Sequence, residues 1–321
     1  MGAGLRVVSA DEIDRAFAAP GLVDALAEAF RGGVAAPARH HHGVPRPDGR
    51  ATLLLMPAWH EANGFLGVKT VTVFPGNGVR SLPSVMGTYL LMDGATGRPV
   101  AALDGTRLTL WRTAAASALA ARHLAGPDAG CMVMVGAGAL APYLVRAHLA
   151  ERPIRSVRLW ARRPEAARAL AARLAGEGLP VEPVTDLEAA VREADLVSCA
   201  TLSKAPLVEG AWLKAGSHLD LVGAFDLSMR EADDAALRRA ALYVDTPAAL
   251  SEGGDVALGL ASGAIIQADV RGDLAGLCRG AVEGRGSPET ITLFKSVGAS
   301  LEDLAAATLA WRRLAGEGGG S

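Results

Sequence analysis

No stretch of this chain stays apolar for the roughly 18 residues that a membrane-spanning helix requires, which excludes a helical membrane protein. Cysteine is almost as scarce. Cys131, Cys199 and Cys278 are too few and too scattered for a disulfide framework or a thiolate metal site. Two of them sit inside apolar, strand-like runs, so they read as small core residues of a reducing cytoplasm. Excess charge is missing too: 32 Lys and Arg stand against 34 Asp and Glu, and a net charge of −2 carries no signature of a nucleic-acid or membrane-surface partner. Aromatic residues make up only 4%, too few to size a ligand pocket. The first residues already hold Arg6, Asp11, Glu12 and Asp14, unlike the apolar core of a secretory leader, so the expected location is cytoplasmic. His40-His41-His42 lacks a carboxylate or cysteine at ligand-like spacing; a polar strand is expected there rather than a metal site.

The chain does have ample material for a buried core, 50% hydrophobic in 321 residues, enough for two domains or one large one. Its most informative stretch is Cys131-Met132-Val133-Met134-Val135-Gly136-Ala137-Gly138-Ala139-Leu140-Ala141. Five apolar residues running into Gly-Ala-Gly read as a buried parallel strand that ends at a dinucleotide. Gly136 makes the tight turn, Gly138 lets the backbone approach a pyrophosphate, and Ala141 lets the next helix pack closely. That helix, expected from about Ala139, aims its free N–H groups at the phosphates, which brings Ala139 and Leu140 into the candidate cofactor set.

A second strand, Ser156 to Trp160, follows at dinucleotide-fold spacing, then Ala161-Arg162-Arg163 and a helix from Pro164 to Gly176. NAD-selective sites place an acid at the end of that strand for the ribose 2′-hydroxyl. Here Ala161 and two arginines stand instead, so NADPH is the expected cofactor, with NADH bound more weakly. The alternative for Arg162 and Arg163 is a solvated pair of loop charges.

Ahead of this fold, Ser9-Ala10-Asp11-Glu12 predicts a capping box and a helix toward Ala18, and a second helix is expected over Leu22 to Phe30. Thr52 to Met56, Gly67 to Phe74 and Gly87 to Met92 read as strands, with Asp93 to Gly97 as a hairpin turn into Arg98 to Leu103. Lys69 shares a strand face with Val71 and Val73, so it either reaches water at an edge or meets an anion. Arg112 and Thr113 are expected near the start of an Ala-rich helix, where a guanidinium, a hydroxyl and free backbone N–H groups hold anions together.

Taken in order, Pro37-Ala38-Arg39, Leu55-Met56-Pro57, Gly67-Val68-Lys69, Leu82-Pro83-Ser84, Thr109-Leu110-Trp111-Arg112-Thr113-Ala114-Ala115, Gly136-Ala137-Gly138 and Ile291-Thr292-Leu293-Phe294-Lys295-Ser296-Val297-Gly298 resemble the ornithine cyclodeaminase and mu-crystallin family. The resemblance implies a nicotinamide-dependent homodimer that acts on the imine or amine of a small amino acid. It implies an α/β fold in two parts: a Rossmann-type domain over 113–294, and an α+β substrate-binding and dimerisation domain over 1–112 with 295–315; the glycine-rich composition of 316–321 separately reads as a flexible tail. Carried over by motif, Arg39, Lys69 and Arg112 grip the substrate carboxylate as catalytic residues. Ser84, Arg112, Thr113, Thr201, Leu202, Val222 and Ser296 line the cofactor. Leu140 departs from the family, which often has Gln there.

One segment separates the family's chemistries. Cyclodeaminases and related alanine dehydrogenases carry an aspartate where this chain aligns Phe225, and loss of ammonia needs such a group to handle the amine protons. Asp226 is adjacent and leaves a one-residue shift open. Mu-crystallin-like ketimine reductases lack the aspartate and share the Gly223-Ala224 to Arg230-Glu231 framing. The expected reaction is therefore reduction of Δ1-piperideine-2-carboxylate or Δ1-pyrroline-2-carboxylate to L-pipecolate or L-proline. The alternatives are ornithine cyclodeamination, reductive amination of a 2-oxo acid, and a non-catalytic nucleotide-binding protein.

Overall fold

A computed structural model describes residues 4–46, 49–62 and 64–317. It divides into two compact units, Met1–Arg112 with Ala299–Ser321, and Thr113–Gly298.

The first unit starts with β1 (Arg6–Val8), α1 (Ala10–Ala18) and α2 (Leu22–Arg31). Ser9 caps α1 reciprocally: its hydroxyl accepts from the Glu12 amide, and the Glu12 carboxylate accepts from the Ser9 amide at 2.9 Å. In α2, Leu22, Leu26, Ala29 and Phe30 are buried, one helical face in the spacing an amphipathic helix requires. Strands β2 (Val34–Ala35), β3 (His40–Arg46), β4 (Gly49–His60), β5 (Phe65–Val73), β6 (Val85–Asp93) and β7 (Pro99–Asp104) follow. The sheet order is β1-β7-β6-β5-β4-β2, with β3 also paired to β4. Asp93 accepts from the amide and hydroxyl of Thr96, and Gly97 takes φ +71°, closing the expected hairpin between β6 and β7.

Alternation decides which residues face inward. Gly67, Lys69 and Val71 of β5 are buried, and Tyr89 and Leu91 of β6 lie on the same face. The other face carries Leu53, Leu55 and Trp59 of β4, Leu66 and Val68 of β5, and Leu90 and Met92 of β6, none of them fully buried. His40 and His42 pair with Leu55 and Leu53, and so join that outer face.

Helix α3 runs Gly105–Leu124, well ahead of the expected start. Its first turn is set by Asp104, whose carboxylate accepts the Arg107 amide at 2.8 Å. Arg112 and Thr113 therefore lie two turns inside the helix, where their own amides are used by the helix ladder; the expectation of free N–H groups beside them is corrected.

The second unit contains β8 (Cys131–Val135), α4 (Ala141–Glu151), β9 (Ser156–Trp160), α5 (Pro164–Gly176), β10 (Val181–Pro183), α6 (Leu187–Glu193), β11 (Leu196–Cys199), β12 (His218–Leu221), α7 (Asp234–Arg239), β13 (Ala241–Val244), α8 (Ala249–Glu252), α9 (Gly254–Ala261), β14 (Val270–Asp273), α10 (Leu274–Arg279) and β15 (Thr292–Lys295). All eight strands are parallel, in the order β10-β9-β8-β11-β12-β15-β13-β14. Successive residues of β8 serve opposite cores: Met132 and Met134 pack with α4 and α5, while Val133 and Val135 pack with α6 and α7. Helices on both faces of a parallel sheet make this a Rossmann-type nucleotide-binding architecture.

The chain returns to the first unit after Gly298, four residues later than expected, because β15 is an interior strand of the parallel sheet. The last helix, α11 (Ser300–Glu317), packs on β4, β5 and β6 and on α1 and α2. It includes Gly316 and Glu317, which were expected to begin a tail; 318–321 lie outside the described residues. Among the described residues no helix is long and apolar enough to cross a membrane, and no group of three or more metal-ligating side chains forms.

Candidate active site

In the parallel-sheet unit the site grows out of the end of β8. Gly136 adopts φ +117°, a conformation only glycine takes without strain, and its amide donates to the Trp160 carbonyl at 2.8 Å, tying the turn to β9. A β-carbon on Gly138 would meet only open space, so a ligand backbone can come right up to this turn. Helix α4 begins at Ala141, two residues after the expected start; Ala139 and Leu140 belong to the turn.

A cavity of about 300 Å³ opens here, at the carboxyl ends of β8, β9 and β11. It gathers seven of the expected cofactor residues: Gly136, Gly138, Ala161, Arg162, Arg163, Thr201 and Leu202. Arg162 and Arg163 are exposed, and Ala161 between them and β9 offers no acid to a ribose 2′-hydroxyl. Ala139, Leu140, Thr113, Val222 and Ser296 belong to the same unit but do not line the cavity. Ser84 stands just before β6 in the other unit, outside it as well.

Three buried acids to which the sequence reading gave no role tie together loops of this unit. Glu231 accepts the amide and hydroxyl of Thr201 with one oxygen and the amides of Gly223 and Ala224 with the other, so it binds together the loops leaving β11 and β12. Burial holds its carboxyl above the usual carboxylate range. Asp255 accepts the amides of Glu231 and Ala232 and lies 3.1 Å from the buried Lys295 ammonium. Asp245, at the end of β13, accepts the Ser296 hydroxyl and the amides of Val297 and Gly298, and burial raises its affinity for a proton. The hydroxyls of Thr201 and Ser296 are thus already committed within the protein.

In the antiparallel-sheet unit, Lys69 is 2% exposed, on the inner face of β5 beneath α11. Its ammonium lies 2.7 and 2.9 Å from the two oxygens of Asp303 and 3.4 Å from the Thr109 hydroxyl. Arg112, 5% exposed, donates through Nε to Asp303 at 3.0 Å and through Nη1 to Glu302 at 2.8 Å. Desolvation, with a contribution from the Arg112 charge, brings Lys69 down to about 8 against the pull of Asp303. Of the two outcomes open to Lys69 in sequence, the edge lysine in water is therefore overturned: the anion it meets is the protein's own. Tyr89, the register partner of Lys69 on β6, is buried, and its hydroxyl has no hydrogen-bond partner among the described residues. Arg39 sits half-buried one residue before β3. On the neighbouring β4, Met56 is the register partner of Lys69.

The acids of α11 left a trace in sequence. Glu302 and Asp303 stand four and five residues after Gly298, but acids in the first turn of a helix ordinarily serve its dipole and attract no further notice.

The family model for the Ornithine cyclodeaminase/mu-crystallin family matches residues 6–318. The chain belongs to this family. It is 43% identical to the Delta(1)-pyrroline-2-carboxylate reductase of Paracoccus denitrificans, over 90% of this chain and 92% of that protein. Its fold superposes with a TM-score of 0.92 on the Thermococcus litoralis Delta(1)-pyrroline-2-carboxylate reductase solved in complex with NADH and L-proline, 30% identical and covering 98% of each chain. An archaeal alanine dehydrogenase dimer with bound NAD gives 0.90 at 28% identity, covering 99% of this chain and 98% of the other.

Phe225 is 47% exposed and has no ionisable group. Asp226 is spent locally, its Oδ1 accepting both the amide and the hydroxyl of Ser228 at 2.7 Å, which folds the loop into an Asx turn.

Proposed function

We propose that this chain is a nicotinamide-dependent oxidoreductase that reduces the C=N bond of a cyclic ketimine carboxylate, Δ1-pyrroline-2-carboxylate or Δ1-piperideine-2-carboxylate, to L-proline or L-pipecolate with NADPH. The carrying observation is Phe225, which has no carboxylate to offer where cyclodeamination needs one, beside an Asp226 whose Oδ1 already accepts from Ser228. The reductase activity named for the Paracoccus and Thermococcus relatives supports the same choice.

The residues of the parallel-sheet unit fit a dinucleotide. Gly138 leaves room for a pyrophosphate, and Arg162 and Arg163 supply charge suited to a 2′-phosphate. Bound NADPH supplies the hydride. What the chain contributes is orientation and charge. In this reading Arg39, Lys69 and Arg112 hold the substrate carboxylate, while Asp303 and Glu302 bring the buried cations to charge neutrality. The protonated imine nitrogen takes the electrons of the C=N bond as the hydride arrives, so anchoring and exclusion of water are the main requirements.

The same reading makes the protein a homodimer, joined through the half-exposed apolar outer face of the antiparallel sheet.

The test is loss of reduced-nicotinamide absorbance with each cyclic imine, beside NAD reduction with L-ornithine and NADPH oxidation with pyruvate plus ammonia. Imine-dependent NADPH oxidation is expected to dominate. Turnover of ornithine alone overturns the proposal.

A further inference from the structure

The Lys69 and Arg112 side chains were expected to be waiting for a substrate carboxylate. A carboxylate of the chain's own last helix also lies between them. One oxygen of Asp303 accepts from both Lys69 Nζ, at 2.9 Å, and Arg112 Nε, at 3.0 Å; the other is 2.7 Å from Lys69. Asp303 itself is fully buried. The groups that face Lys69 come from three elements: Arg112 and the Thr109 hydroxyl from α3, Glu302 and Asp303 from α11, and the Tyr89 phenol from β6. Two buried cations this close repel each other, and the α11 acids Glu302 and Asp303 offset that repulsion.

We infer that Asp303 is a positioning residue for the reaction: its carboxylate bridges Lys69 and Arg112, fixes the angle between them, and keeps Lys69 charged at neutral pH while the substrate is bound. The inference rests on the ketimine-reductase reading above.

Three observations support it. Lys69 sits on a strand and Arg112 on a helix, so nothing in the local backbone fixes their mutual geometry; the shared oxygen does. Asp303 stands in the first turn of α11, which packs directly on β5, so the acid arrives on a rigid element. Finally, Lys69 loses a proton at about 8, only just above neutrality, so its charge depends on the balance between burial and Arg112 on one side and Asp303 on the other.

The experiment compares wild type, Asp303→Asn and Asp303→Glu in the full chain. The pH profile of kcat/KM for Δ1-pyrroline-2-carboxylate and the KM for NADPH are measured, and the Lys69 amine is titrated by nitrogen NMR, its signal assigned by loss in Lys69→Arg. Wild type is expected to lose activity on the alkaline side near pH 8. In Asp303→Asn that limb moves acidward by roughly one unit or more, kcat/KM falls at least about tenfold at neutral pH, and the NADPH KM stays within about twofold. Asp303→Glu keeps the charge and loses only geometry: its limb stays near that of wild type while kcat/KM falls.

An unmoved limb and an unmoved Lys69 titration in Asp303→Asn overturn the inference. So does a limb in Asp303→Glu that shifts by roughly one unit, which also decides the matter if the Asn variant fails to fold. If no variant and no wild-type sample reduces a cyclic imine, the functional reading has failed, and the nitrogen titration still reports whether Asp303 sustains the Lys69 charge.

Discussion

Gly136 and Ala200 approach so closely that a β-carbon on Gly136 would lie 2.6 Å from the Ala200 carbonyl oxygen. Two strand ends meet at this point, β8 and β11, and both border the cavity. Because the obstacle is backbone and the φ is +117°, neither partner can yield cheaply. Gly136→Ala is expected to cost on the order of 2 kcal/mol of stability and to abolish detectable NADPH binding. Thermal unfolding and nucleotide fluorescence titration check it.

Removing Arg162 and Arg163 together, as alanines, is expected to raise the KM for NADPH at least about tenfold and to leave that for NADH within about twofold, since only the 2′-phosphate distinguishes them. Both arginines are exposed, so the fold should not change. Equal losses for the two nucleotides would return the pair to the status of solvated loop charges.

Glu231 takes four donors with two oxygens. Gln in its place keeps one accepting oxygen and turns an amide group toward the other pair of donors. Glu231→Gln is expected to cost roughly 2–3 kcal/mol and to weaken nucleotide binding through displacement of Thr201, with the effect of Lys69 variants on the imine KM unchanged. Denaturant unfolding and a nucleotide titration separate the two consequences.

His218 is fully buried, and its Nδ1 lies 2.9 Å from the Thr292 hydroxyl, which itself donates to the Leu124 carbonyl. The hydroxyl proton is therefore used, and Nδ1 is the donor; Nε2 has no partner among the described residues. Desolvation pushes this histidine down from the ordinary 6.5 to about 3. Between those values the unfolded chain binds a proton that the folded chain does not. Stability from this residue is thus complete above about pH 6.5 and is lost as the pH falls, by up to roughly 1.4 kcal/mol per unit, until about pH 3. Unfolding midpoints measured from pH 7 down to pH 4 should show the slope, and His218→Gln should flatten it.

Leu90 lies on the outer face of the antiparallel sheet, beside Val68. Leu90→Arg is expected to convert a dimer into a folded monomer, seen by light scattering, because a guanidinium cannot be buried there without a partner. A wild type that is already monomeric would remove this role from the sheet face.

Much of the protein was readable without its tertiary structure, wherever the determining forces are local. The capping box at Ser9, the hairpin at Asp93, the glycine turn at Gly136 and the Arg162-Arg163 pair are set by neighbours in the chain and by the two backbone periods. The start of α3 was misplaced for the same kind of reason: the Ala-rich stretch advertised a helix so strongly that the Asp104 cap before it went unread.

The chain alone determined the alternation of strands and helices, the nucleotide turn, and that Lys69 must meet an anion if it is buried. It could not say which anion. Lys69 and Asp303 are separated by 234 residues, and Glu231, Asp255 and Lys295 come together only when several strand ends converge. Local pattern fixes which face of a strand or helix is apolar, but the pairing of buried charges depends on which elements the closed fold lays against each other; desolvation then makes those pairings obligatory. Only the tertiary structure decided that the lysine of β5 and the arginine of α3 share one carboxylate from the last helix.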